Sequence, residues 1–201
     1  MLQIKCFTFG PFETNCYVVS DEHHVLLIDP ACSNAYEQQQ LENYINHKSQ
    51  ITNHKLSIVA THGHLDHLWG AKWATETWHT PVLMHEADIP MAKAMQAQYN
   101  LFGIRATAES FDIEPLADSL SPFALIPTPG HTPGSVCLYW PQEKVLFSGD
   151  TLFRMGYGRT DLPGGNMGQL IDSLERLFEL PSDVVVYPGH GDSTTIGAEK
   201  R

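Results

Sequence analysis

The segment Thr61-His62-Gly63-His64-Leu65-Asp66-His67 places three histidines and an aspartate within six residues, directly after a short apolar run typical of a strand. Residues i and i+2 of an extended loop project to the same side, so His62 and His64 can converge on one metal ion. Asp66 and His67, at the turn into a predicted helix, can face a second ion. Imidazole and carboxylate groups suit zinc, iron or manganese. A chance match to this pattern has a probability of roughly 0.002, so the segment predicts a metal site.

Composition limits the remaining classes of protein. The 201 residues, with 42% hydrophobic and 17% charged residues, are typical of a folded globular chain, and we expect one domain over 1–201. A net charge of −11 argues against a nucleic-acid partner. No apolar stretch approaches the ~20 residues of a membrane helix, so we expect no membrane association. The first residues lack the pattern of a secretory signal, which favours a cytoplasmic location. The four cysteines show no CxxC spacing and are expected to be buried, reduced thiols.

Strands and helices mix throughout the chain. Strands are predicted at 4–9, 16–20, 25–28, 56–60, 81–84, 123–127, 135–140, 144–148 and 184–187, and helices at 35–48, 67–79, 86–99 and 167–179. The continuous apolar run at 25–28 is typical of a strand covered on both faces. A layered α/β architecture follows. A doubly wound nucleotide-binding fold is disfavoured because no GxGxxG follows the first strand.

Three later motifs carry further metal-binding residue types. These are Pro129-Gly130-His131-Thr132-Pro133-Gly134, Ser148-Gly149-Asp150-Thr151 and Tyr187-Pro188-Gly189-His190-Gly191. Together with the 61–67 segment, and in this order, they resemble the ligand blocks of the metallo-β-lactamase superfamily over residues 1 to about 195. The resemblance implies an αββα sandwich, in which two mixed β-sheets are flanked by helices and the metals lie at one edge of the sheets.

The resemblance also implies a set of ligands for two divalent metal ions, with zinc expected and iron or manganese as alternatives. One ion would be held by His62, His64 and His131, a second by Asp66, His67 and His190, and Asp150 would bridge the two. Each ion keeps an open position for water, as catalytic sites do. Asp66 is also expected to orient the metal-bound water. Asp29, at the end of the 25–28 strand, is either a carboxylate that supports the metal loop or a simple turn residue before proline.

These features predict an enzyme that hydrolyses an activated acyl bond through a metal-bound hydroxide. Retention of every His and Asp ligand resembles the type II glyoxalases, which cleave S-acylglutathione thioesters such as S-lactoylglutathione. Compact relatives of that branch also resemble this chain in Gly156-Tyr157-Gly158-Arg159-Thr160-Asp161. A small-molecule thioester is therefore the expected substrate, and a monomer or small homo-oligomer the expected state. The acyl group and the thiol carrier stay open.

Alternatives remain at the level of the reaction. A persulfide dioxygenase resembles the chain in the 158–161 motif and would use one iron at the positions of His62, His131 and Asp150. A lactonase, another ester hydrolase of this fold, and a non-enzymatic metal-binding module are the other hypotheses. Two residues of the 156–161 motif are candidates for substrate binding, namely Arg159 and Tyr157. Arg159 could pair with a substrate carboxylate, or it could order its own loop through Asp161.

Overall fold

The structure is a computed structural model that describes residues 2–22, 24–52, 55–117 and 120–200. The first of its sheets contains six strands. They are β1 (Gln3–Phe9), β2 (Thr14–Ser20), β3 (His24–Ile28), β4 (Lys55–Val59), β5 (Val82–Met84) and β6 (Ile113–Pro115), in the spatial order β1-β2-β3-β4-β5-β6. The pairs from β1 to β3 are antiparallel, and those from β3 to β6 are parallel. The sheet is therefore mixed.

A second sheet contains five strands and lies in the latter half of the chain. They are β7 (Ala124–Pro127), β8 (Val136–Trp140), β9 (Val145–Gly149), β12 (Val185–Pro188) and β13 (Thr194–Thr195), in the order β13-β12-β9-β8-β7, and β12 runs parallel to β9. A separate two-stranded ribbon joins β10 (Leu152–Phe153) to β11 (Gly156–Tyr157). The helices are α1 (Ala35–Thr52), α2 (Ala71–Trp78), α3 (Ile89–Lys93), α4 (Met95–Leu101), α5 (Met167–Phe178) and α6 (Ile196–Glu199).

The order of the layers follows from where the strand side chains are buried. On β3, Val25 and Leu27 enter a core with α1 and α2, whereas the alternating Leu26 and Ile28 enter a core shared with the second sheet. Leu146 of β9 faces the opposite way and packs with three leucines of α5. The layers are thus helix, sheet, sheet, helix, which confirms the predicted fold class. The apolar run at 25–28 is explained because both faces of its strand are covered.

Two predicted helices are wrong in extent. The helix expected at 67–79 begins only at Ala71, because residues 61–70 form the loop that carries the histidines. Gly70 lies so close to the Cys32 sulfur that a Cβ would overlap it. The helix expected at 86–99 is divided into a 3-10 turn at Glu86–Asp88 followed by α3 and α4. Pro90 lacks the N–H that a continuous helix requires, and it stands instead in the first turn of α3.

The burial of the cysteines also differs at one position. Cys16, Cys32 and Cys137 are free and buried, as predicted, and burial raises the pKa of Cys32 to about 12 and that of Cys137 to about 11. Cys6 is exposed, contrary to expectation, because β1 is the edge strand of its sheet. None of the described helices has the length and apolar character needed to cross a bilayer.

Candidate metal centre

The seven predicted ligands lie at the carboxyl ends of four strands. The 61–67 segment follows β4, His131 follows β7, Asp150 follows β9 and His190 follows β12. Because the ends of strands from both sheets meet at one edge, side chains far apart in sequence come together there. Ligands of open α/β sheets commonly bind at this end of the strands.

These side chains form three overlapping groups in which the potential ligand atoms lie within 4.8 Å of one another. The groups are His62, His64 and His131; His62, His67 and Asp150; and Asp66, His67 and His190. The first and third are the two sets implied by the sequence resemblance. The second contains one histidine from each of those sets together with Asp150, so this carboxylate lies between them.

The distances around Asp150 describe this central position. Its Oδ1 atom is 3.3 Å from His67 Nε2, and its Oδ2 atom is 3.4 Å from His131 Nε2 and 3.5 Å from His190 Nε2. On the other side of the centre, Asp66 Oδ2 is 3.2 Å from His190 Nε2. One carboxylate thus faces imidazoles of both sets, as a bridging ligand must.

Three buried atoms at this centre have no hydrogen-bond partner among the described residues, namely His62 Nε2, His67 Nε2 and Asp150 Oδ1. A buried polar atom without a partner is costly, so native structures rarely keep one. The three atoms belong to the group of His62, His67 and Asp150, and coordinated metal ions would satisfy all of them. The residues present therefore fit divalent metal ions.

Charge at the centre is divided between ionised carboxylates, a neutral His64 imidazole, and two histidines that the carboxylates stabilise in the protonated form despite burial. The pKa of His67 lies well above its usual value, and that of His190 is raised to about 9. Burial alone would raise the pKa of Asp66, but His67 and His190 lower it to about 2. The pKa of Asp150 is also well below its usual value, because attraction by His67 and a hydrogen bond from His190 outweigh its burial. Burial lowers the pKa of His64 to about 4. Metal ligation requires ionised carboxylates and neutral imidazoles, so Asp66, Asp150 and His64 already have the required states, whereas an ion would displace protons from His67 and His190.

Asp29 supports the 61–67 segment through contacts with Thr61 and His67. Its Oδ1 accepts a hydrogen bond from the Thr61 backbone N–H at 2.7 Å, and its Oδ2 accepts one from the Thr61 hydroxyl at 2.8 Å. The same Oδ2 lies 2.8 Å from His67 Nδ1, which leaves Nε2 of that ring facing the centre. The supporting role considered for Asp29 is confirmed by these contacts, and such support fixes the orientation of a ligand.

A second buried carboxylate, Asp88, was not found by reasoning from the sequence. It accepts hydrogen bonds from the Gly63 N–H at 2.8 Å, the Thr132 hydroxyl at 2.6 Å and the Gly134 N–H at 2.6 Å. It therefore ties the His62–His64 loop to the His131 loop. No motif surrounds Asp88 in the sequence, and its role depends on contacts between distant segments.

Three further side chains that the sequence did not single out support the ligands. The Thr14 hydroxyl donates to Asp66 Oδ2 at 2.8 Å. Asn15 Nδ2 and the Tyr17 hydroxyl both donate to the Pro188 carbonyl, at 3.0 and 2.6 Å, and so fix the approach to His190. All three lie on β2, which brings the first sheet against the end of the second.

The family model described as the metallo-beta-lactamase superfamily matches residues 9–190, which include every potential metal ligand described above. The chain belongs to the metallo-β-lactamase superfamily.

Individual members of the superfamily match the chain along most of its length. It is 35% identical to a probable metallo-hydrolase, YqgX, of Bacillus subtilis, over 95% of this chain and 91% of the relative. It is 31% identical to the hydroxyacylglutathione hydrolase GloC of Haemophilus influenzae, over 100% of this chain and 96% of the relative. The crystal structure of TTHA1623 in a di-iron-bound form superposes with a TM-score of 0.84 at 34% identity, covering 98% of this chain and 97% of the other.

The two candidate substrate-binding residues of this superfamily member lie in and beside the β10–β11 ribbon. The Arg159 guanidinium forms a two-pronged pair with Asp161, at 2.6 and 2.7 Å. The Arg159 carbonyl is 2.7 Å from His131 Nδ1, so its backbone orients a potential ligand. Tyr157 is exposed on β11. A substrate carboxylate would have to use the remaining Nη1 and Nη2 donors of Arg159 or displace Asp161.

Two glycines allow the close packing around Asp150. A Cβ at position 189 would overlap Asp150 Oδ1 and crowd the His67 ring, and a Cβ at position 158 would overlap the Asp150 carbonyl. Positions 158 and 189 therefore require glycine, because neither has space for a Cβ atom.

Proposed function

We propose that this chain is a metal-dependent hydrolase that cleaves thioesters of the S-acylglutathione type, such as S-lactoylglutathione. The observation that carries the proposal is the convergence of three overlapping His and Asp groups on Asp150, with three buried atoms that lack a partner. The full-length similarity to a protein named hydroxyacylglutathione hydrolase supports the substrate class. Zinc or iron would suit the donor atoms.

Each potential ligand has a proposed role. His62, His64 and His131 would hold one ion, Asp66, His67 and His190 a second, and Asp150 would bridge them. Divalent ions in such a site supply an activated water near neutral pH and polarise a substrate carbonyl.

The chain's own residues determine where substrate and water approach. The side chains of His62 and His67 are almost fully buried, whereas His190 is 28% exposed and Asp66 is 17% exposed. The centre therefore opens to solvent at Asp66 and His190. Asp66, held by the Thr14 hydroxyl, lies at this opening and would orient the attacking water.

The test combines elemental analysis with a thiol-release assay on one purified sample. We expect two transition-metal ions per chain and thiol release from S-lactoylglutathione or a similar thioester. His64→Ala and Asp66→Ala should lower metal content and turnover together. His47→Ala, an exposed histidine on α1, is the matched control and should change neither.

Three results would contradict the proposal. Oxygen uptake on glutathione persulfide by a protein with one iron and no thioester cleavage would make it a persulfide dioxygenase. Turnover of acyl-homoserine lactones alone would make it a lactonase. Full activity of the His64→Ala variant would remove the two-metal site.

A further inference from the structure

A cavity of about 420 Å³ opens directly beside the metal centre. His64 forms one wall, and the opposite walls come from α3 and α4 and from residues 162–164. Its volume lies in the usual range for small-molecule sites, about 300–1,000 Å³. A group bound at the metals can therefore extend past His64 into this cavity.

The walls of this cavity are apolar. Among the described residues that line it there is no lysine, arginine, aspartate or glutamate, and most are Ala, Pro, Met, Leu or Phe. The polar side chains are His64 and Gln98. The Gln98 amide is already engaged: Nε2 donates to the carbonyls of Gly63 and Met91, and Oε1 accepts from the Leu65 N–H at 2.9 Å. Gln98 thus anchors the metal loop with both of its N–H donors and has no donor left for a ligand.

The rim continues this apolar character to the surface. Leu101 is 58% exposed and Phe102 is 39% exposed, and both line the cavity. The Phe102 ring packs edge-on against Phe12 at 5.7 Å, and Phe12 contacts Trp69 at 5.9 Å. A grouped set of exposed apolar side chains beside a concave site indicates a surface that a ligand covers.

We propose that this cavity binds an apolar chain of the substrate next to the scissile bond, so that the preferred thioesters carry an extended aliphatic or aromatic group. The inference rests on the proposed function for the identity of the bond. The glutathione portion of a thioester carries two carboxylates and an ammonium group. Those charges would be unpaired among these walls, so that portion lies outside the cavity.

The first experiment measures binding without hydrolysis. Two series of thioethers, S-alkylglutathiones and S-alkyl-N-acetylcysteamines from methyl to octyl, are titrated calorimetrically into the metal-loaded protein. Each methylene that enters the cavity should tighten binding about fourfold until the cavity is full. Affinity independent of chain length in both series would overturn the inference. Since thioethers are not cleaved, length-dependent binding without any thioesterase activity would contradict only the proposed function.

The second experiment locates the chain relative to the scissile bond. One thioester series varies the acyl group at a fixed thiol, and the other varies the thiol at a fixed acetyl group. A rise in kcat/KM with length in the acyl series places the acyl chain in the cavity, and a rise in the thiol series places the thiol chain there. Turnover with no length dependence in either series would contradict the inference.

Variants test the walls directly. Ala97 is exposed on α4 and lines the cavity, so Ala97→Trp should fill it. Leu101→Gln makes the rim polar. Both should reduce the gain in affinity per methylene. The matched controls are Ala35→Trp on α1 and Ile171→Gln on α5, which are exposed helix positions outside the cavity lining and should keep the full gain. An undiminished gain in both cavity variants would refute the assignment.

Discussion

Replacing Asp88 with asparagine is expected to loosen both loops that carry the buried histidines. The fully buried carboxylate accepts backbone N–H bonds from Gly63 on Oδ2 and from Gly134 on Oδ1, and a hydroxyl bond from Thr132 on Oδ2. An asparagine amide has one acceptor oxygen and one donor nitrogen. The Thr132 hydroxyl can reverse its direction, but a backbone N–H cannot. One of the two glycine N–H groups therefore loses its partner whichever way the amide is turned.

The size of the effect follows from these contacts. A buried donor without a partner costs about 1–3 kcal/mol, and the remaining bonds lose the strength that a charged acceptor gives them. Removal of a buried charge offsets part of this loss. We expect a net decrease of about 2 kcal/mol in the free energy of unfolding, which lowers Tm by about 4–8 °C for a chain of this size. Because the ligand loops lose a shared anchor, metal affinity should fall about 10- to 100-fold.

Thermal unfolding of the metal-free protein and competition with a chromogenic chelator measure the two effects separately. Asp172→Asn, the same change at an exposed position of α5, is the control and should leave both unchanged. An Asp88→Asn protein that melts with the parent and binds metal equally well would refute the argument that Asp88 ties the two loops together.

Three further outcomes are expected. Gly189→Ala should lower metal affinity about 10- to 100-fold, because the new Cβ displaces Asp150. Gly156→Ala adds a Cβ in open space and should bind metal normally, and competition with a chromogenic chelator measures both affinities. A thiol reagent should label Cys6 rapidly in the native protein and the three buried thiols only after unfolding, and more than one fast equivalent would contradict the described core. Chelation should lower Tm by about 5–10 °C, since metal at 100 times its Kd stabilises the folded state by about 2.7 kcal/mol, and a His62→Ala protein should show little change on chelation.

Much of the fold could be predicted from local patterns, and the exceptions have physical causes. The apolar run at 25–28 predicted a strand covered on both faces, and its alternating side chains do enter two cores. The helix expected at 86–99 is instead divided before Ile89 and at Ala94, and at the first break Pro90 lacks the N–H that a continuous helix requires. Strands of two or three residues such as β6, β10, β11 and β13 are too short to show a period.

In the candidate site, too, some features could be predicted from local patterns and others depend on tertiary packing. Residue types and spacing suffice to indicate the potential ligands, because a histidine cluster and Gly/Pro loops are local features. The pair of Arg159 with Asp161 was one of two alternatives left open by the sequence, and the contacts favour it, whereas no local feature indicates that the Arg159 carbonyl faces His131. Which of these contacts a loop residue makes depends on how the loop packs.

By itself, the sequence indicated a metal site and the superfamily to which the chain belongs, since the 61–67 segment and the three later motifs carry the donors. The tertiary structure decided how those donors are held and what can reach them. Asp88 and Gln98 act through contacts with segments distant in sequence, and the apolar cavity beside His64 is enclosed by two short helices and a loop. The type of a metal ligand depends on the residue alone. A hydrogen bond between distant segments, or a cavity enclosed by them, exists only after those segments have packed.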